Sequence, residues 1–351
     1  MERFIMVTIA YLRRAFLVLS LLLATCAWAT ERTIEYHGQS VTVPEQVTKV
    51  ATSWEAQNSV LAMLGFGDKI VATTRYARNT PAFQKFIPSI KNTELSTAGG
   101  SAEVNVEQLI RLQPDIIFVS AGFPPTKQAQ LEAAGIAIAS FPANSMDSLV
   151  ERVQLTGEIL GTDAAAKAEA YKDYFERNKA LVAERLAKIP IDQRLRVYIA
   201  SGTPLTTSGR PSLNQDWIDL AGGINIAEHW SLSDVHHGSA NVSVEAILAA
   251  QPDVIISMRQ RDVATIEHDP RWRNVKAVKQ QRVYANPRGL FWWCRETSEE
   301  ALQFLWLAKV LYPSAFGDID IRQETHDFYK QFYGIDLSNA DITEFLEPVE
   351  S

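Results

Sequence analysis

Short continuous apolar runs alternate along this chain with stretches whose apolar residues recur every three or four positions. "KVAT" (49–52), "KIVATT" (69–74), "DIIFVS" (115–120) and "IAIAS" (136–140) read as strands, the longest of them apolar enough to be buried on both faces of a parallel sheet. Between them "AQNSVLAMLG", "VEQLIRLQ" and "TKQAQLEAAG" carry helical spacing, the first closed by Gly65 and the second by Pro114. The second half replays the scheme with "RVYIA", "NQDWIDLAGG", "VEAILAAQPDVIISM" and "RVYANP", then a strong helix "SEEALQFLWLAKVLYP" stopped by Pro313. Strands alternating with helices of about ten residues predict βαβ units and a parallel sheet covered by helices.

One phrase occurs twice. "VNVEQLIRLQPDIIFVS" (104–120) and "VSVEAILAAQPDVIISM" (242–258) share seven of 17 positions, among them Glu107/Glu245 and the Gln-Pro-Asp of 113–115 and 251–253. Their offset of 138 residues exceeds the period of a solenoid, about 20–50 residues, and is the size of a domain. Between the copies lies "TDAAAKAEAYKDYFERNKALVAERLAKIP" (162–190), free of glycine and with proline only at its end. Its helix formers, with Thr162 or Asp163 as cap, predict one helix of roughly 40 Å. Flexible linkers are rich in glycine, serine or proline; this one is a strut. The predicted fold is α/β: two similar parallel-sheet α/β lobes joined by one long α-helix. Residues 30–161 form the amino-terminal lobe, 162–190 the helix, and 191–351 the carboxy-terminal lobe with a helical tail.

The first 29 residues stand apart. Arg13 and Arg14 precede an apolar core, and Ala27-Trp28-Ala29 places small residues where a signal peptidase cuts. The apolar stretch is shorter than the about 20 residues of a membrane helix. Thr25 before Cys26 is not the residue expected of a lipid-anchor site, so the expectation is a cleaved signal peptide (1–29) and a freely soluble periplasmic protein, with a lipoprotein as the alternative. Residues 1–29 carry Arg3, Arg13, Arg14 and Glu2, a net of +2, so their removal takes the net charge from −7 to −9. Such an acidic chain lacks the basic face nucleic-acid binding requires. Cys26 leaves with the signal, so Cys294 has no partner for an intramolecular disulfide.

Two α/β lobes joined by a long helix, with "LAGGINIA" and "NPRGLFWWCRETSEEALQFLWLAKVLYP" in this order, resemble the substrate-binding proteins of ABC importers that carry iron-siderophores, haem or cobalamin. The resemblance covers roughly residues 32–313. It implies a monomer that binds a metal-chelate small molecule in a shallow cleft between the lobes and delivers it to a membrane permease with its ATPase. No resident cofactor is implied, since the metal arrives inside the ligand. Family members use one glutamate per lobe against permease arginines, which falls here on Glu107 and Glu245. Without the resemblance, each is an acidic residue in a first helical turn, favourable by about 0.3–1 kcal/mol. An iron-siderophore is the expected cargo. The glycine-rich "LSTAGGSAEVN" stands where cobalamin carriers often present an aromatic, which ranks the vitamin below iron chelates; haem, cobalamin, a nickel chelate and molybdate are the alternatives. The tail "DIRQETHDFYKQFYGIDLSNADITEFL" resembles a subset of iron-complex carriers.

Ligands of open α/β sheets bind beyond the carboxyl ends of the strands. Those positions hold Trp54, Arg75, Tyr76 and Phe123 in the first lobe, and Arg259, Trp292, Trp293 and Arg295 in the second. Guanidinium forks suit carboxylate or catecholate oxygens and aromatic faces cover flat ligand surfaces. Trp54 and Phe123 are equally well placed to cap the core, and adjacent Trp292 and Trp293 point to opposite sides of an extended segment. The resemblance favours Arg295 as a ligand contact. His236 and His237 stand in a loop near the cleft mouth, available to complete the shell of a chelated metal. A bare metal needs about three or four converging ligands, so no protein metal site is expected. Neither G-x-S-x-G nor H-E-x-x-H occurs; no catalytic residue is assigned, and a secreted metal-chelate enzyme is the rival reading.

Overall fold

The computed structural model describes residues 30–98, 103–230 and 239–348; the expected signal peptide, His236 and His237 lie outside these residues. An antiparallel hairpin, β1 (Glu31–Tyr36) and β2 (Gln39–Pro44), opens the described chain. Five strands then form a parallel sheet in the order β5-β4-β3-β6-β7: β3 (Val50–Thr52), β4 (Ile70–Thr73), β5 (Glu94–Leu95), β6 (Ile116–Ser120) and β7 (Ala137–Phe141). The second half builds β8 (Arg196–Ala200), β9 (Thr206–Ser208), β10 (Ile224–Asn225), β11 (Ser239–Asn241), β12 (Val254–Ser257) and β13 (Val283–Ala285). Four of them form a second parallel sheet, β10-β8-β12-β13, while β9 and β11 pair as a small antiparallel ribbon. Ile116, Ile117 and Phe118 of β6 and all of β12 are fully buried, as continuous apolar runs between helical layers must be.

Each copy of the repeated phrase folds the same way, and its identities explain themselves. The helices Val106–Leu112 and Val244–Ala250 are capped by Asn105 and Ser243, whose side chains accept from the N–H of Gln108 and Ala246. Both helices end on a glutamine in the left-handed region, Gln113 (φ 49°) and Gln251 (φ 47°). The proline that follows cannot continue the helix. The next residue is a clamp: Asp115 Oδ2 accepts from the backbone N–H of Thr48 (2.6 Å) and Lys49 (2.8 Å), and Asp253 Oδ2 from that of Arg196 (2.8 Å). Each aspartate thereby fixes where the neighbouring central strand, β3 or β8, begins.

The joining helix spans Thr162–Leu186, 25 residues, ending short of Pro190 in a turn. It is more than a strut. Ala164, Ala168, Tyr171, Phe175, Asn178, Val182 and Leu186 bury one stripe along it. That stripe packs on the preceding helix Met146–Leu160 of the first lobe and on Glu300–Leu311 of the second. At the first crossing, a Cβ on Gly157 would stand 2.7 Å from Ala168 Cβ and 2.9 Å from Ala164 O, so only glycine allows the approach. Tyr171 Oη and Asn178 Nδ2 donate to the carbonyls of Ser298 and Ala301.

One apolar core runs from Tyr36 through both sheets to Phe345, with smaller clusters under the outer face of each lobe. The tail completes it. Helix Ile321–Tyr333 packs Phe328 tilted and Phe332 edge-on against Tyr174, and helix Asn339–Leu346 sets Phe345 between Phe86 and Tyr329. Among the described residues no helix is long and apolar enough to cross a membrane.

Candidate functional site

The carboxyl ends of the two sheets face one another, and two cavities open between them. The first, about 590 Å³, lies beyond β3, β6 and β7 and is closed from the second lobe by Pro211–Leu213, Arg295 and Glu296. Trp54 forms part of its wall and is 7% exposed. Its Nε1 donates across the cleft to Glu296 Oε2 at 3.1 Å, and the Arg152 guanidinium lies 4.3 Å from its ring centroid. Arg152 is fully buried, donates to the Glu296 carbonyl, and is pushed down by burial to about 10. Glu296 is held at φ 57°, a backbone conformation a non-glycine residue adopts at a cost. Lys127 and Glu103 on the rim pair at 2.7 Å.

The second cavity, about 550 Å³, lies beyond β4, β12 and β13. Tyr76 and Lys85 come from the first lobe, Arg259, Arg261, Arg288 and Trp292 from the second, and Glu344 and Phe345 from the tail. Tyr76 and Trp292 stack with ring centroids 5.9 Å apart and planes 26° from parallel. The Arg288 guanidinium sits 4.5 Å from the Trp292 ring and donates to Tyr76 Oη at 3.3 Å. Burial raises the Tyr76 hydroxyl against the opposing charge of Arg288. Arg259 Nε is buried with no hydrogen-bond partner among the described residues. The tail is pinned here by a Lys85–Asp341 ion pair and by the Arg288 N–H donating to the Phe345 carbonyl at 2.8 Å.

The family model described as periplasmic binding protein matches residues 50–288. The chain belongs to this periplasmic binding protein family. It is 26% identical over 321 residues to the molybdate-binding protein of Haemophilus influenzae, covering 85% of this chain and 87% of that one. It is 25% identical over 226 residues to the vitamin B12-binding protein of Vibrio cholerae, covering 63% and 74%. A periplasmic solute binding protein from Veillonella parvula superposes with a TM-score of 0.78 at 26% identity, covering 90% of this chain and 97% of that one. The protein is therefore a solute carrier of an ABC importer and not an enzyme; its partners are a small molecule and a membrane permease. Related binding proteins work outside the cytoplasm.

In this binding protein the ligand candidates divide between the cavities instead of converging. Trp54, Phe123 and Arg295 line the first; Tyr76, Arg259 and Trp292 line the second. Arg75 lines neither: it is exposed at the start of helix Arg75–Asn79, one position before Tyr76. Trp293 is fully buried in the core; the segment is a turn closed by the Arg295 N–H donating to the Trp292 carbonyl, not the extended backbone expected. Cys294 is a core thiol as well, pushed up by burial to about 12. The strand-end rule reaches Arg288, three positions past β13, and Glu55, two past Ser53, which the sequence reading left out. Lys85 and Glu344 carry no such signal, being brought in by packing of a short helix and the tail.

Glu107 and Glu245 sit at matching places in the first turn of the two repeat helices, exposed, with no hydrogen bond or ion pair among the described residues. Unlike the shared glutamine, proline and aspartate, they do no visible work inside the fold.

Proposed function

We propose that this binding protein captures an anionic metal chelate of the ferric-siderophore kind and delivers it to its permease. The observation that carries the reading is the pair of guanidinium groups in the second cavity: Arg259 Nε is buried with no hydrogen-bond partner among the described residues, and the Arg288 guanidinium meets the neutral Tyr76 hydroxyl and Trp292 ring. Two guanidinium charges that line one cavity repel each other, and an anionic ligand relieves that repulsion. The Tyr76–Trp292 stack offers a flat apolar face beside the guanidinium groups, which suits catecholate or carboxylate arms around a metal. The volume lies in the range of small-molecule sites, about 300–1,000 Å³. A bare oxyanion is the second reading, favoured by the molybdate-binding relative, whose match spans most of both chains.

Isothermal titration with ferric citrate and a ferric catecholate, with molybdate as competitor, tests this. Arg259→Ala and Arg288→Ala are each expected to weaken the chelate about 10-fold or more, the loss of a charge-assisted partner. Chelate binding that is unchanged in both variants would sink the reading. Tight molybdate binding that excludes the chelates would select the oxyanion.

A further inference from the structure

The first cavity differs in charge from the second. Its rim pair Lys127–Glu103 cancels internally. What remains is of both signs: the Arg295 guanidinium and the Glu55 carboxylate make no hydrogen bond or ion pair among the described residues. Glu296 has one oxygen held by Trp54 Nε1 and its other oxygen without a partner. The three groups are half-buried and line one space, yet they do not pair with one another. Partly desolvated charges left open in this way are costly unless something completes them.

We infer that this cavity is a separate compartment for a free zwitterion of the α-amino-acid type. A carboxylate would be taken by Arg295, and an ammonium by Glu55 and Glu296. Two helices of nine and eight residues, Pro125–Ala133 and Leu213–Leu220, begin at the same wall, with Pro124 and Ser212 as their first caps. Their positive ends add to the pole that receives the carboxylate. Trp54 and Phe123 supply apolar surface for a side chain. Neither a trianionic chelate nor a tetrahedral oxyanion meets both signs of charge, so this compartment recognises a different chemistry from the cationic one.

The test uses the mature chain and small probes. The twenty standard amino acids are titrated one by one, and the best binder is compared with its carboxamide, which lacks the carboxylate charge, and its N-acetyl form, which lacks the ammonium. Each derivative is expected to bind about 10-fold more weakly or worse. Arg295→Met should erase the preference over the carboxamide, and Glu55→Gln the preference over the N-acetyl form. These comparisons rest on ligand chemistry, and circular dichroism checks that each variant is folded. The inference is overturned if no amino acid binds, if the derivatives bind as well as the parent, or if the variants keep both preferences. Failure of ferric chelates to bind in the same series would instead count against the anionic-chelate function, leaving the zwitterion site standing.

Discussion

In the two copies of the repeated phrase the identities stop at Ile117 and Ile255, and the last three positions, Phe118–Ser120 and Ile256–Ser257–Met258, all differ. The shared part lies on the side away from the cleft. There it caps a helix, ends it on a left-handed glutamine and clamps the next strand. The unshared part runs into the cleft and continues differently: Gly122-Phe123-Pro124 beyond β6, but Arg259 and Arg261 beyond β12. The repeated scaffold thus uses its outer half for folding, while its inner ends carry two different chemistries. That division is open to experiment.

The largest effect is expected from Glu107 and Glu245, which make no hydrogen bond or ion pair among the described residues. Glu107→Ala with Glu245→Ala should abolish uptake through the reconstituted permease while ligand affinity, measured by titration, stays that of the parent. Stability should fall by only about 0.3–1 kcal/mol per site, the worth of an acid in a first helical turn. Uptake that survives the double change leaves only the helix-dipole role, and the outer face then has no docking function.

The clamps come next. Asp115→Ala and Asp253→Ala each strip charged acceptors from backbone N–H groups, and each should cost about 2 kcal/mol in urea unfolding. A neutral outcome in one lobe would break the equivalence of the two copies. Asp253 also pairs with Lys276 at 2.6 Å, so Lys276→Ala should recover part of the Asp253 loss and none of the Asp115 loss in a double-mutant cycle.

The smallest effect separates the glutamines. Gln113 Nε2 reaches only its own helix, at the Ile110 carbonyl, whereas Gln251 accepts from the Lys276 N–H and donates to the Asn274 carbonyl. Gln113→Gly relieves a left-handed side chain and should be neutral or stabilising by up to about 1 kcal/mol. Gln251→Gly gives up two contacts to the neighbouring segment and should destabilise by about 1 kcal/mol. Equal responses would mean that the left-handed cap alone governs both positions.

Much of this was legible in the sequence because it is local. Unbroken apolar runs such as Ile116–Val119 have no stable place except a sheet covered on both faces, and the 162–190 segment has the composition of a helix. The strand-end rule found Trp54, Tyr76, Phe123, Arg259 and Arg295 because a loop leaving a sheet end cannot avoid the cleft. The rule fails where direction matters: it reaches Arg75 and Trp293, but a helical first turn leaves one exposed and the turn over residues 292–295 leaves the other in the core. Division of the cleft into two cavities was not readable at all. It depends on how Arg288–Glu296 crosses between the lobes and on a tail some fifty residues later in the chain, and neither leaves a periodicity.

The continuity of the core has a consequence for how such a chain comes into being. Tyr36, near the start of the described chain, and Phe345, near its end, belong to one apolar body. Tyr329, Phe332 and Phe345 cover surface that the earlier residues leave bare. A chain synthesised from its amino end therefore leaves part of its apolar interior uncovered until the final helix has been made.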